Sequence, residues 1–401
     1  MATGMINFST INGTTDFVKK SFSAMITRLM PNGAAPLFGL TSMLKDETAV
    51  QVEHGFFTKT MIFPSITLSG AGQIAGDTTF TIVANSNLIP GMAFRHNVTG
   101  EIIVINTVAS TTSITVTRAA GTVAAAGMGA STVLYQVGNA FEEGSTRPAS
   151  VSIQAVRVTN YTQIFRNSWA LTDSARATQV IAGDTNVAES RQDCAAFHAV
   201  DIEKAVFFGQ KFSGTRNNQP FRLMDGIINQ VTVNAASNVT TAAATTNYTQ
   251  LEAALDVVFN TTTDPKVSNE RVLFVGGAAK RVLNNIGRLN GTYQLVGGAT
   301  SYGLQFSSFN TSRGTFRIIE HPLFNSNVDW AKMAIAVDLS SFNLAYLGDR
   351  KTMASEYGVS GQAIENGIDA VGGSLTTELT TLVKNPAANA IIYGLTAAAA
   401  G

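Results

Sequence analysis

Cys194 is the single cysteine in 401 residues. That excludes an intrachain disulfide and a cysteine-rich zinc site, as expected in a reducing cytosol. The four histidines, His54, His96, His198 and His321, lie far apart, and neither H-E-x-x-H nor C-x-x-C occurs, so no metal-ligand spacing is present. Charge is scarce as well: 13% of residues, about half of the ~25% usual for a soluble domain. The 27 basic and 27 acidic residues cancel, which removes any overall drive toward nucleic acid or anionic membranes. No apolar run approaches the ~18 residues that span a bilayer. The start "MATGMINFSTINGTTDF" lacks the basic and apolar regions of a signal peptide. No Gly-Lys dipeptide occurs, so there is no Walker-type phosphate loop, and "YGVSGQ" lacks the spacing of a nucleophile elbow. "GAGQIA" at 70–75 matches a relaxed dinucleotide fingerprint. A strand pattern follows it, though, and not the helix whose N-terminus would hold a pyrophosphate, so it reads as a turn. No catalytic residue, cofactor or metal site is expected.

What remains is a chain that is 45% hydrophobic, rich enough to bury large cores. With so little charge, much of its surface should be neutral and covered, and self-assembly is the simplest account. Residues 1–47 read as an arm carrying one helix candidate, "TDFVKKSFSAMITRLM", stopped by Pro31. Period-two patterns follow in "AVQVEHGFF" and "KTMIFPSITL". Residues 66–138 are a run of short strand candidates punctuated by Gly, Asn and Ser, which suggests a small barrel or sandwich. Its charged residues, Asp77, Arg95, Glu101 and Arg118, are too few for a nucleic-acid groove. "VSIQAVRVTNYTQIFRN" reads as a long strand that pairs with 48–65 as a hairpin holding this module at its tip. Helix is expected over about 186–211, with Ala188, Ala195, Ala199, Ile202 and Val206 on one face and Phe197 and Phe208 opposite. Apolar residues on both sides imply cover on both sides. Beyond Pro220 strands and helices alternate as in an α/β layer. The tail "GSLTTELTTLVKNPAANAIIYGL" returns to strand character and then ends in coil.

Cys194, His198 and Asp201 are spaced i, i+4 and i+7, so a helix would put them on one face. The spacing fits a packed helix face, continued by Ile202 and Val206, better than a ligand set, and a thiol nucleophile would need partners that spacing does not supply.

Several segments carry a resemblance. "EEGSTRP" and "RVTNYTQIFRNSWALTDSARA", within 142–177, contain an Asn-x-Thr-Gln-Ile core at Asn160, Thr162, Gln163 and Ile164. "DIEKAVFFGQK" (201–211) sets Asp201, Glu203 and Lys204 at a helix end, and "TELTTLVKNPAANAIIYGL" (377–395) includes Asn385-Pro386. "PGMAFRHNVTGEIIVINTV" and "SITVTRAAGT", within 90–122, look like an inserted module. In these motifs and in the order of its parts, the chain resembles the major capsid proteins of tailed bacteriophages, with the Hong Kong 97-type fold. The likeness is greatest to the podophage-type family whose hairpin, the E-loop, often carries a β insertion.

The resemblance implies an α+β fold. Its parts would be an N-terminal arm (1–47), an E-loop hairpin (48–65 and 139–165), an inserted β module (66–138), a peripheral domain with a spine helix (166–221 and 351–388), an axial α/β domain (222–350) and a C-terminal tail (389–401). It implies a virion protein without catalysis, assembled in the host cytoplasm from copies of itself into pentamers and hexamers around double-stranded DNA. Portal, scaffolding and cement proteins are the implied partners, and no membrane is involved. Glu142, Glu143, Arg147 and Lys59 become candidate contacts between subunits, and Lys19, Lys20 and Arg28 candidate DNA-proximal residues on the inner face. Cys194, His198, Ile202 and Val206 become packing residues of the spine helix. Scaffolding would be either a separate protein or a prosegment already absent, and no isopeptide cross-link is assigned. Another self-assembling structural protein, from a tail, an adhesin or a surface layer, is the alternative reading.

Overall fold

Alternating apolar residues build two separate bodies from this chain. The computed structural model describes residues 46–59, 64–70, 72–85, 87–150, 154–177, 186–260, 269–290, 299–301, 304–359 and 368–399. The arm's helix candidate and Lys19, Lys20 and Arg28 lie outside the described residues. Contacts divide the chain into one unit of Phe57–Val158 and another of Met1–Phe56 with Thr159–Gly401.

Strand β1 (Glu47–Ala49) and strand β2 (Glu53–Thr58) come first. The smaller unit then holds β3 (Ser65–Thr67), β4 (Thr79–Thr81), β5 (Met92–His96), β6 (Ile102–Ser110), β7 (Ser113–Thr117) and β8 (Val133–Asn139). They form one sheet in the order β3-β8-β5-β6-β7-β4. Its two end strands meet through the antiparallel bridge Leu68–Ile82, with Val83 N–H donating to the Thr67 carbonyl at 2.8 Å. The sheet thereby closes into a barrel, which leaves no free edge. Every second residue points inward, as a pleated strand requires, and Ile66, Phe80, Phe94, Ile103, Ile114 and Leu134 are the buried centre of this unit's own core.

Strand β9 (Val156–Tyr161) pairs with β2, and in the larger unit β10 (Gln163–Thr172) leads to the short helix α1 (Asp173–Ala177). Helix α2 (Asn186–Phe208) follows. It ends three residues short of the expected 211, because Gly209 passes backbone to backbone against Gly226, whose N–H donates to the Gly209 carbonyl at 3.0 Å. A Cβ on Gly209 would come within 2.6 Å of the Met224 carbonyl oxygen, so only glycine fits the crossing.

The remaining elements are β11 (Phe212–Arg216), β12 (Gln219–Leu223), α3 (Ile227–Asn234), β13 (Val239–Thr241), α4 (Tyr248–Asp256), β14 (Glu270–Val275) and α5 (Gly277–Asn290). After them come β15 (Ala299–Ser301), β16 (Leu304–Asn310), β17 (Thr315–Glu320), β18 (Ala334–Val337), β19 (Phe342–Leu347), β20 (Met353–Tyr357), β21 (Ala370–Val383) and β22 (Ala390–Tyr393). One sheet runs β1-β19-β21-β10, with β20 also on β21, and α2 packs against β10 and β21. The other runs β13-β22-β18-β14-β17-β16-β15. Along β14, Val272 and Phe274 face the cluster that contains Ile202, Val206 and Phe207 of α2, while Leu273 and Val275 face Leu251, Leu255, Val282 and Ile286 of α4 and α5. A strand covered on both faces is apolar throughout.

Two boundaries differ from the expected ones. Residues 389–401 are not only a tail, since β22 is a buried interior strand of the seven-stranded sheet, antiparallel to β18 and parallel to β13. Likewise β19, expected within the axial stretch 222–350, pairs with β21 and β1 in the other sheet. Strand pairing across a long sequence separation decides both points, and no local pattern reports it.

Candidate functional site

Helix α2 collects most of the residues singled out by sequence. Its buried stripe is Cys194, His198, Ile202 and Val206, joined by Glu203 and Phe207, whereas Ala188 and Ala195 are exposed. Of the expected stripe, Ile202 and Val206 are buried, while nearer the start of the helix Cys194 and His198 fill the core in place of Ala195 and Ala199. On the opposite face Phe208 is covered, stacked on Trp330 with ring centroids 4.0 Å apart, whereas Phe197 is 64% exposed in the single chain.

Cys194 packs with Trp169 and Val371. Burial pushes its thiol upward, against a backbone hydrogen bond from Leu375, which keeps it a protonated packing group. Between β10 and β21, His198 has Nδ1 2.7 Å from Asn167 Oδ1 and Nε2 2.7 Å from Thr377 Oγ1. Burial holds this imidazole below its ordinary value, and Asp201 opposes that shift. Asp201 itself is exposed and accepts from Asn167 Nδ2 at 2.9 Å. The Cys-His-Asp spacing thus becomes one thiol in an apolar cluster, one neutral imidazole holding two strands, and one surface carboxylate. No group of metal-ligating side chains occurs among the described residues.

Two pairs escape sequence reading. Glu203 and His321 are both fully buried, with Nε2 and Oε1 2.8 Å apart, although they lie 118 residues apart. Phe207 and Phe324 enclose the imidazole, with ring centroids at 4.8 and 4.5 Å. In the barrel Arg118 grips Glu101 through both oxygens, at 2.7 and 2.8 Å. A glutamate in an apolar helix face and a histidine ending the apolar strand "TFRIIEH" were the only available hints of the first pair.

The Asn160-x-Thr-Gln-Ile core sits where β9 meets β10. Asn160 and Thr162 are buried, and Thr162 Oγ1 donates to Glu378 at 2.9 Å. Gln163 Oε1 accepts from Met224 N–H at 3.0 Å, and Ile164 faces outward. Asn385 is buried beside Asn389, whose amide donates to the Asn385 carbonyl at 2.8 Å. Glu142, Glu143, Arg147 and Lys59 are exposed, and none of the four forms an ion pair among the described residues. Among the described residues, the ionisable groups named above serve packing or lie open to solvent.

Sequence comparison defines the class as phage capsid proteins. The major capsid protein of Pseudomonas phage PaMx41 is 39% identical over 401 residues, covering 97% of this chain and 95% of the relative. The family model described as SU10 major capsid protein matches residues 9–396. The chain belongs to that family: it is a phage major capsid protein, a structural component of the virion shell and not an enzyme. Among solved structures it is similar to that of Mycobacterium phage Bobi, with a TM-score of 0.49, 9% identity and coverage of 97% of this chain and 98% of that one. It is also similar to the capsid of a native GTA particle, with a TM-score of 0.47, 7% identity and coverage of 95% and 96%. Likeness at that level adds nothing to the family assignment, which rests on sequence.

Proposed function

We propose that this protein is a Hong Kong 97-type protomer that associates with itself into pentamers and hexamers of a closed shell around double-stranded DNA, assembled in the host cytoplasm. The carrying observation is the set of large apolar side chains left open in the single chain. Phe57 is 72% exposed, Val156 63% and Phe197 64%, in a protein with little charge to keep it apart from its neighbours. Further copies are the simplest cover. Negative-stain microscopy of the expressed protein should show closed particles of uniform diameter. Fibres, flat sheets or a small discrete oligomer would reject this reading. Portal, scaffolding and cement proteins are the further partners it calls for.

In this reading the inserted module reinforces contacts between adjacent capsomers from the outer face, with Glu142, Glu143, Arg147 and Lys59 making polar contacts to a neighbour. Exposed pairs of this kind contribute only about 0–1 kcal/mol each, but they recur at every interface. Because the barrel has its own core, replacing 66–138 by a short Gly/Ser turn should leave a folded protomer whose shells dissociate at lower denaturant concentration. Circular dichroism showing an unfolded protomer would refute the assignment. Lys19, Lys20 and Arg28 would meet the genome without sequence preference. Neutralising all three should lower the DNA content of purified particles, and unchanged packaging would remove them from this role.

A further inference from the structure

We propose that Asn160 is a positioning residue that, with Lys211, clamps the root of the β2–β9 hairpin and so sets the geometry of the assembled shell. The larger unit resumes at Thr159, and from there five consecutive residues are each tied down. Lys211 Nζ donates to the carbonyl and the hydroxyl of Thr159, at 2.7 and 2.9 Å, and lies 4.9 Å over the Tyr161 ring. The Asn160 amide donates to the Thr381 carbonyl at 2.8 Å and to the Asp225 carbonyl at 3.1 Å, and its oxygen accepts from Asp225 N–H at 2.8 Å. Thr162 N–H donates to the Val52 carbonyl at 2.8 Å and its hydroxyl to Glu378, while Gln163 receives Met224 N–H.

The partners are themselves fixed. Gln230 Nε2 donates to the Asp225 carbonyl at 2.8 Å and its oxygen accepts from Val383 N–H at 3.1 Å, which joins the start of α3 to β21. Asn160, Gln230 and Thr381 are buried. A buried amide whose donors and acceptor are all used fixes one backbone setting, because every alternative leaves a desolvated group unpaired. Immediately before the clamp, Val156 and Arg157 are exposed. Their strand still pairs with β2, and the Val52 carbonyl that receives Thr162 N–H lies at the start of the other leg, so the clamp holds the root of the hairpin on both legs. This rests on the assembly reading above in its final step only, that a fixed hairpin root is needed for copies to meet uniformly.

The test compares full-length wild type with Asn160→Asp, which keeps the volume but loses the amide donors, and with Lys211→Ala at an exposed position. Hydrogen exchange should rise about tenfold or more at the amides of 159–163 in both variants, the scale of one lost hydrogen bond, with β14 and β18 as protected as before. Particles of both variants should show a broadened diameter distribution beside uniform wild-type shells. If Asn160→Asp loses protection throughout, Lys211→Ala decides alone. Unchanged exchange at 159–163, or uniform shells in spite of raised exchange, overturns the proposal. Wild type that forms no shells would instead count against the assembly reading, with the exchange result still judging the clamp.

Discussion

Replacing Glu101 by Ala should cost the barrel about 3–5 kcal/mol, the usual cost of removing one partner from a buried ion pair. Glu101 is fully buried and the Arg118 side chain is 6% exposed. Beyond its two bonds to Glu101, Arg118 donates to the carbonyls of Ile74 at 2.8 Å and Ala126 at 2.6 Å, and its guanidinium lies 5.3 Å over the Phe80 ring. The carboxylate also accepts from the backbone N–H groups of Ala119 and Ala126, at 3.1 and 3.2 Å. One ion pair therefore holds three loops, and truncation strands a buried cation together with two amides. For a unit of this size, whose whole stability is about 5–15 kcal/mol, that is a large fraction. Hydrogen exchange on full-length protein should lose protection across β5, β6 and β7, with β14 and β18 unaffected. Retained protection in β6 and β7 would refute the role.

The same pair makes the barrel sensitive to acid. Burial works to raise the Glu101 carboxyl, but Arg118 and the Ala126 and Ala119 amides outweigh it and hold the group below its ordinary value of 4.5. A depressed native value means that the stabilisation is complete above the unfolded value and is lost as pH falls through the lower native one. The Glu101 contribution to barrel stability should therefore fall away only as pH drops below the ordinary carboxyl range, and Glu101→Ala should remove this component of the pH dependence.

Glu203→Ala should destabilise the larger unit by a similar about 3–5 kcal/mol, because it leaves His321 buried among aromatic rings with its hydrogen-bond partner gone. Glu203→Gln keeps an oxygen at the same place and should cost only about 1 kcal/mol. At about 2.1 cal/mol/K of unfolding entropy per residue, each kcal/mol moves the melting temperature of a unit this size by about 1–2 °C, so the two substitutions still separate in a thermal scan. Equal melting temperatures for both variants would mean that the contact contributes packing and not a hydrogen bond. The pair lies where α2 packs on the seven-stranded sheet, in the cluster that includes Phe207, Phe274 and Phe324, so its loss should loosen the helix that also carries Cys194 and His198.

Local signals made much of the architecture legible. Strand alternation marked β5 to β8, and a long stretch without Pro marked α2, although it did not show that the helix stops before Gly209. Legibility stopped where a side chain's role depends on partners far along the chain. Counting charges in 66–138 could not reveal that two of the four are paired inside the barrel. For His198, position on a helix face implied burial, and only the meeting of β10 with β21 supplied Asn167 and Thr377 as its partners. Beyond Pro220 an alternation of strands and helices is expected, but only the tertiary structure shows that Ile227–Asn234 is helical, with Ile227 and Val231 in the main core and Gln230 bridging Asp225 to Val383.

By itself the sequence pointed to the class, through the Asn160, Asp201-to-Lys211 and Thr377-to-Leu395 motifs that resemble capsid proteins and through its low charge. Periodicity and composition are properties of neighbours along the chain, and they survive in a string of letters. The tertiary structure alone decided that β22 is an interior strand, that the barrel closes through Leu68 and Ile82, that Glu203 meets His321, and that Thr159 to Gln163 are held by Lys211, Asp225, Glu378 and Thr381. Each of these is a contact across tens to hundreds of residues. Such contacts form because a desolvated polar group must find a partner wherever the fold brings one, and sequence spacing carries no record of where that will be.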